Sequence, residues 1–166
     1  MKKSMNFSFK KAEDSPGFLL WQLTNQWQQQ QRKALRPLGL THPQFVALAG
    51  ILWLSTVHET GASQIQVADF TRIDKMMMSD LVQTLMQKKF IERRRHPQDK
   101  RAYSLTLTRK GHALTLKAIP LVEGIDALFF NKETKGLTQL VAILNKKLNH
   151  PASITMLGEK SSEDNL

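Results

Sequence analysis

The chain has 166 residues, 41% of them hydrophobic, enough to bury one proper core in one compact unit. Its 24 Lys/Arg outnumber 14 Asp/Glu, and the formal net charge of +10 favours a polyanionic partner, either nucleic acid or an anionic membrane surface. There is no cysteine, which excludes a disulfide framework, a thiolate zinc site and a cysteine redox switch.

Residues 1–14 read as a flexible basic arm that lacks the apolar run of a signal peptide. No later stretch approaches about 18 uninterrupted apolar residues, so the expected location is cytoplasmic, without membrane contact. Ser15-Pro16-Gly17 reads as a helix entry, with Ser15 as N-cap and Pro16 at the first helical position. Phe18, Leu20, Leu23, Trp27 and Ala34 recur at roughly helical spacing to about Leu35, and Gly39 marks the stop. The run Gln28–Gln31 reads as a solvated face of that helix. A second helix follows Thr41-His42-Pro43, with Thr41 or His42 as cap and Pro43 in the first turn. Phe45, Val46, Leu48, Ala49, Leu52 and Trp53 make it apolar around much of its circumference, as suits a central helix. Glu59–Ala62 reads as a loop.

Ser63 is expected to cap a short helix over Gln64–Thr71 that buries Val67 and Ala68. Asp74 then caps a longer helix, Lys75–Lys89, in which Met78, Leu81, Val82 and Leu85 follow the i, i+3, i+4, i+7 rule. Its opposite face carries Met76, Asp80, Gln83 and Gln87, with Ser79 on the flank. Two helices across a tight turn make a helix-turn-helix, whose second helix can enter a major groove.

The next segment, Lys88–Lys110, concentrates nine of the Lys/Arg residues against two acids, Glu92 and Asp99, a local charge of +7. It reads as strands Phe90–Arg95 and Ala102–Leu107 around the polar turn His96–Arg101; Tyr103, Leu105 and Leu107 alternate with Ala102, Ser104 and Thr106. Such a cationic ribbon can reach along a nucleic-acid backbone. Thr108 caps a long helix bearing Leu114, Ile119, Val122 and Ile125, with a bend expected near Pro120. A last helix, about Lys132–Leu148, shows a stripe of Leu137, Leu140, Val141, Leu144 and Leu148, and a flexible tail begins at Asn149. The expected fold is mainly α with a small two-stranded β-wing (α+β), a winged helix-turn-helix with helices added at both ends. Those outer helices pack onto their own core or onto a second copy of the chain.

Three motifs in order carry a family resemblance: Leu38–Phe45 (LGLTHPQF), the wing tip Asp99-Lys100-Arg101, and the junction Leu107-Thr108-Arg109-Lys110-Gly111. With the helix and wing between Ile73 and Gly111, they resemble the MarR family of bacterial winged helix-turn-helix transcriptional regulators, over roughly Pro16–Leu148. Between the arm at 1–14 and the tail at 149–166, the resemblance implies a dimerisation helix at 15–40, a DNA-binding domain at 41–111 and dimerisation helices at 112–148. It implies a homodimer on a pseudo-palindromic DNA duplex, with the recognition helix at about 75–89 in the major groove and the wing at 90–107 in the minor groove. The implied role is a transcriptional regulator, foremost a repressor, often released by a small ligand, typically aromatic or phenolic, or by an oxidant; the absence of cysteine rules out direct thiol oxidation. Asp80 departs from the family, many members of which carry a basic or polar residue there.

The candidate DNA contacts follow from chemistry at these positions. Arg101 at the wing tip suits a narrow minor groove of deep negative potential. Asp99 would aim it through a bidentate pair, as the resemblance suggests, and Lys100 completes the tip. Ser79 and Gln83 can donate to phosphates or base edges, Lys75 suits a phosphate, and Met76 can touch a thymine methyl group. Asp80 is repelled by phosphates but can accept from a cytosine amino group. Arg93, Arg94 and Arg95 alternate across a strand and cannot share one surface; Arg94 is the candidate among them. The plain alternatives are a solvated turn arginine with a weak surface ion pair and an ordinary polar helix face.

Trp21, Trp27, Phe45 and Trp53 are candidates for a ligand pocket, with core or interface packing as the alternative. The histidines His42, His58, His96, His112 and His150 show no metal-ligand spacing and read as caps, surface residues or ordinary polar contacts. No nucleophile triad, P-loop, metal cluster or paired-carboxylate set stands out, so neither an enzyme nor a cofactor is expected. The competing function is a non-specific or architectural nucleic-acid-binding protein that uses the same wing.

Overall fold

A computed structural model describes residues 9, 11–57, 61–95, 103–130 and 134–149. Asp99, Lys100 and Arg101 of the expected wing tip lie outside the described residues, as do Ala102, most of the basic arm and the tail from His150. The elements in order are α1 (Pro16–Leu35), α2 (His42–Val57), β1 (Ala62–Ser63), α3 (Gln64–Thr71), α4 (Lys75–Gln87), β2 (Ile91–Arg95), β3 (Tyr103–Leu107), α5 (Arg109–Phe129) and α6 (Thr134–Asn149). The chain divides after Phe129 into a unit holding α1–α5 with the sheet and a second unit holding α6.

The helix starts are set by local side chains. Ser15 Oγ accepts from the Phe18 amide at 3.4 Å, with Pro16 in the first turn of α1. A 3-10 turn, Arg36–Leu38, follows α1, and Gly39 closes it at φ 64°. Thr41 rather than His42 caps α2. Its hydroxyl accepts from the Gln44 amide at 3.3 Å while Gln44 Oε1 accepts from the Thr41 amide at 3.2 Å. Ser63 and Gln66 make the same reciprocal pair at α3, and Asp74 accepts from the Met76 and Met77 amides at α4. Each such cap contributes about 1 kcal/mol.

The core gathers around α2, as its apolar circumference implies. Phe45, Ala47, Leu48, Ile51 and Leu54 are buried with Leu35, Val67, Ala68, Met78, Val82, Leu85, Leu105, Ala118 and Val122. α2 and α3 approach so closely at Gly50 that a Cβ there would lie 2.7 Å from Thr71 Cγ2.

The sheet has three strands in the order β1-β3-β2, not the two expected. Ala62, read from sequence as the end of a loop, pairs antiparallel with Leu105. Two residues are too short to show a period, but buried Ala62 must pair its backbone. In the hairpin, Ile91 faces Leu107 and Arg93 faces Leu105, while Glu92 faces Thr106 and Arg94 faces Ser104 on the other side.

α4 ends at Gln87, two residues before the expected stop. The Lys89 amide donates to Met86 O and the Phe90 amide to Leu85 O, both at 2.9 Å, the Schellman arrangement. Lys89 therefore sits at φ 58°, a left-handed position that favours glycine. The chain then enters β2, and the return strand closes against the same turn. The Thr108 amide donates to Phe90 O at 3.0 Å, and its hydroxyl donates to Lys89 O at 2.8 Å and accepts from the Gly111 amide at 3.0 Å. A Cβ on Gly111 would lie 1.8 Å from Phe90 O. No side chain fits there, which explains the glycine of the junction motif. α5 continues through Pro120 as one element. In the second unit, α6 exposes Val141, Ile143, Leu144 and Leu148.

Two stability changes of opposite sign are expected at this joint. Gly111→Ala should destabilise the protein by roughly 3 kcal/mol or abolish folding, because backbone has to move. Lys89→Gly should stabilise it by about 1 kcal/mol by relieving the left-handed lysine. Denaturant titration of both variants checks the pair.

Candidate nucleic-acid interface

α3 hands over to α4 through Arg72 at φ 56°, and Asp74 starts the second helix immediately. Met78, Val82 and Leu85 are fully buried and Leu81 is half-buried, which fixes the rotation of α4. Lys75, Met76, Ser79, Asp80 and Gln83 are consequently exposed. Met76, Ser79, Asp80 and Gln83 share one outward stripe at helical spacing. Asp80 has no ion pair among the described residues.

The wing arginines divide as the pleat requires. Arg93 Nη2 donates to Gln64 Oε1 at 3.0 Å, which ties β2 to the start of α3. Arg94 lies on the opposite face and donates through Nε to Glu92 Oε1 at 2.9 Å. Both members of that pair are largely solvated, so it is worth about 0–1 kcal/mol and can be exchanged for a phosphate. Elsewhere in the basic segment the charge is already engaged. Lys88 Nζ donates to Gly39 O at 3.2 Å and Gln44 Oε1 at 3.4 Å, fastening the end of α4 to the corner between α1 and α2. Lys110 Nζ donates to Lys88 O at 3.5 Å and lies 4.9 Å from the centre of the Phe90 ring. Composition alone counts these cations as free for a polyanion; the fold does not.

The four candidate pocket aromatics separate. Phe45 is in the core and Trp27 is half-buried, while Trp21 and Trp53 are 65% and 62% exposed. What does converge is a polar node between α1, α2 and α5. Asp126 Oδ1 accepts from Trp27 Nε1 at 2.7 Å and from Gln31 Nε2 at 2.8 Å. His42 stands edge-on to Trp27, with ring centres 5.0 Å apart. Burial lowers the His42 pKa and outweighs the opposing pull of the Asp126 carboxylate, with Arg32 adding to the lowering, so the neutral imidazole is favoured.

Gln31 corrects the reading of Gln28–Gln31 as a solvated face: it is fully buried. Its Oε1 has no hydrogen-bond partner among the described residues. The available signal was spacing, since Gln31 lies four residues from both Trp27 and Leu35 on the packing stripe. Asp126 gave no such signal, because its partners are on a helix about a hundred residues earlier. Among the described residues no group of three His, Cys, Asp or Glu could hold a metal ion, and no single helix is long and apolar enough to cross a membrane.

Asp126→Ala should cost about 2–3 kcal/mol, because the Trp27 and Gln31 donors lose their acceptor. Asp126→Asn, which keeps one carbonyl oxygen, should recover part of the loss in the same chemical denaturation measurement.

A match to the MarR family model spans residues 40–103, from the entry of α2 to the start of β3. An uncharacterized HTH-type transcriptional regulator of Bacillus subtilis (strain 168), YdcH, is 45% identical over 122 residues, 74% of this chain and 82% of that protein. The fold is similar to that of CouR from Rhodococcus jostii RHA1, solved with p-coumaroyl-CoA: TM-score 0.74 at 22% identity, over 86% of this chain and 97% of that one. It is also similar to a mutant MarR from E. coli solved with operator DNA: TM-score 0.69 at 22% identity, over 85% of this chain and 99% of that one. The helix-turn-helix, the sheet and the sequence match agree: this chain belongs to the MarR family of transcriptional regulators.

Proposed function

We propose that the protein represses transcription by binding a pseudo-palindromic DNA duplex as a cytoplasmic homodimer. The observation that carries this reading is the rotation of α4, which buries Met78, Val82 and Leu85 while exposing Met76, Ser79, Asp80 and Gln83. In the major groove, Gln83 and Ser79 donate to base edges or phosphates, Lys75 meets a phosphate and Met76 meets a thymine methyl group. Asp80 selects against positions that cannot offer it a donor, as a cytosine amino group does. The wing, with Arg94 on its outer face and Asp99, Lys100 and Arg101 at its tip, follows the minor groove. The E. coli MarR solved with operator DNA supports this placement.

The division into a DNA-binding domain at 41–111 flanked by dimerisation helices at 15–40 and 112–148 belongs to the same proposal. Phe18, Leu20, Trp21 and Leu23 on α1 and Leu121 and Leu128 on α5 are exposed, and clustered exposed apolar side chains mark contact surfaces. A dimer places two recognition helices about one helical turn apart. It occupies the duplex and excludes polymerase, so repression is the default sign. A small aromatic or phenolic effector belongs to the same proposal, with Trp27, whose Nε1 donates to Asp126, as the aromatic side chain at the polar node. Ligand that binds one spacing of the recognition helices better than the other shifts the dimer off DNA. CouR solved with p-coumaroyl-CoA supports an organic effector.

Selection of bound sequences from random duplexes tests the function. The expected result is a palindrome with half-site centres about 10 base pairs apart. Gln83→Ala should relax one position at a cost of about 1–3 kcal/mol. Arg101→Ala should weaken every site and lower the salt slope by about 1. Uniform coating without an enriched palindrome would replace this reading with an architectural one.

A further inference from the structure

The chain contains seven methionines and no cysteine, so thioethers are its only sulfur groups. Three of the seven are consecutive, and the helical period of α4 sorts them by exposure. Met78 is fully buried, Met77 is 45% exposed and Met76 is 80% exposed. Met76 does not sit on a loose segment. It is the second residue of α4, and its amide is held by Asp74 Oδ1 at 2.8 Å. Its thioether is presented on the outward stripe with Ser79, Asp80 and Gln83.

We propose that Met76 is an oxidant-sensitive modification site, whose conversion to the sulfoxide releases the protein from DNA. This rests on the reading of α4 as the recognition helix. The oxidant is a two-electron oxygen donor such as hypochlorous acid. A sulfur lone pair forms the S–O bond as the O–Cl bond breaks. Chloride leaves with the bonding pair, and the hydroxyl proton passes to water. Sulfur is oxidised by two electrons and chlorine is reduced by two. Methionine sulfoxide reductases reverse the change, one enzyme for each sulfoxide epimer.

The consequence for binding follows from polarity. The thioether is soft and apolar and suits a thymine methyl group. The sulfoxide oxygen is a strong acceptor with partial negative charge, facing a groove lined by phosphates. Asp80, one turn further along the same stripe, already places a carboxylate there, so the new dipole adds to an existing repulsion. The core is untouched, because Met78 is sealed beneath the helix and the Asp74 cap involves backbone amides alone. Binding should therefore change while the fold persists.

The test treats the purified full-length protein with hypochlorite in stoichiometric steps, maps sulfoxides by mass spectrometry, and measures affinity for a duplex selected from a random pool. Among the described methionines, Met76 should oxidise first and Met78 last, and bound duplex should protect Met76. Affinity should fall about tenfold or more when Met76 is converted, the scale of one lost base contact, with unchanged circular dichroism. Sulfoxide reductases should restore it. The Met76→Leu variant, whatever its starting affinity, should lose little more on treatment, whereas Met77→Leu should stay sensitive. Undiminished binding after Met76 conversion, or an equal loss in Met76→Leu, overturns the proposal and leaves the recognition-helix reading standing. Failure of untreated protein to bind any duplex overturns both.

Discussion

The contact of Gly111 with the Phe90 carbonyl is the constraint on which the arrangement of the helix-turn-helix and the sheet depends. At one point the end of α4, the start of β2, the end of β3 and the start of α5 meet within hydrogen-bonding distance. Thr108 holds three of these together with one amide and one hydroxyl. Removing a Cβ at position 111 is what permits that approach. The angle between α4 and the β2–β3 hairpin is thus a consequence of close backbone packing, which resists deformation far better than a side-chain contact. Lys110 stiffens the same joint by reaching the Lys88 carbonyl and the Phe90 ring across it, and Lys88 anchors its α4 end to the corner between α1 and α2.

This use of lysine changes the meaning of the net charge. Cations placed at a helix end to satisfy carbonyls contribute to the long-range field but are not free to meet a phosphate at short range. Arg93 is similarly engaged with Gln64. Arg94, paired only with the solvated Glu92, and the exposed Arg95 are less constrained, while the outward stripe of α4 carries Asp80 and uncharged groups. The exposed arginines of β2 and the polar stripe of α4 thus lie on different elements joined at Phe90.

The polar node between α1, α2 and α5 is the opposite kind of structure. Asp126 satisfies two donors, yet Gln31 retains an acceptor without a partner among the described residues. A half-satisfied buried network is costly, and its cost falls whenever a donor arrives. His42 connects it to the first turn of α2, where Gln44, the reciprocal partner of the Thr41 cap, also meets Lys88. Within the first unit, α1, α5 and the end of α4 are thereby linked through the first turn of α2.

Much of this was legible in the residues themselves, because it is local. Ser15, Ser63, Asp74 and Thr108 announce helix starts through side chains that reach only three residues ahead, and the period of α4 separates its buried face from its exposed one. Where two caps competed, at Thr41 and His42, only the three-dimensional hydrogen bonds chose. Tertiary structure alone decided the third strand, since Ala62 needs a partner more than forty residues away and is too short to show a period. It alone decided that Gln31 is buried, that Lys88 and Lys110 hold the joint, and that Asp126 gathers donors from α1. Each of these depends on groups far apart in sequence, and no local pattern encodes which distant group will arrive. Sequence by itself determined where helices begin and which way they face; packing between them determined which polar groups are spent and which stay free.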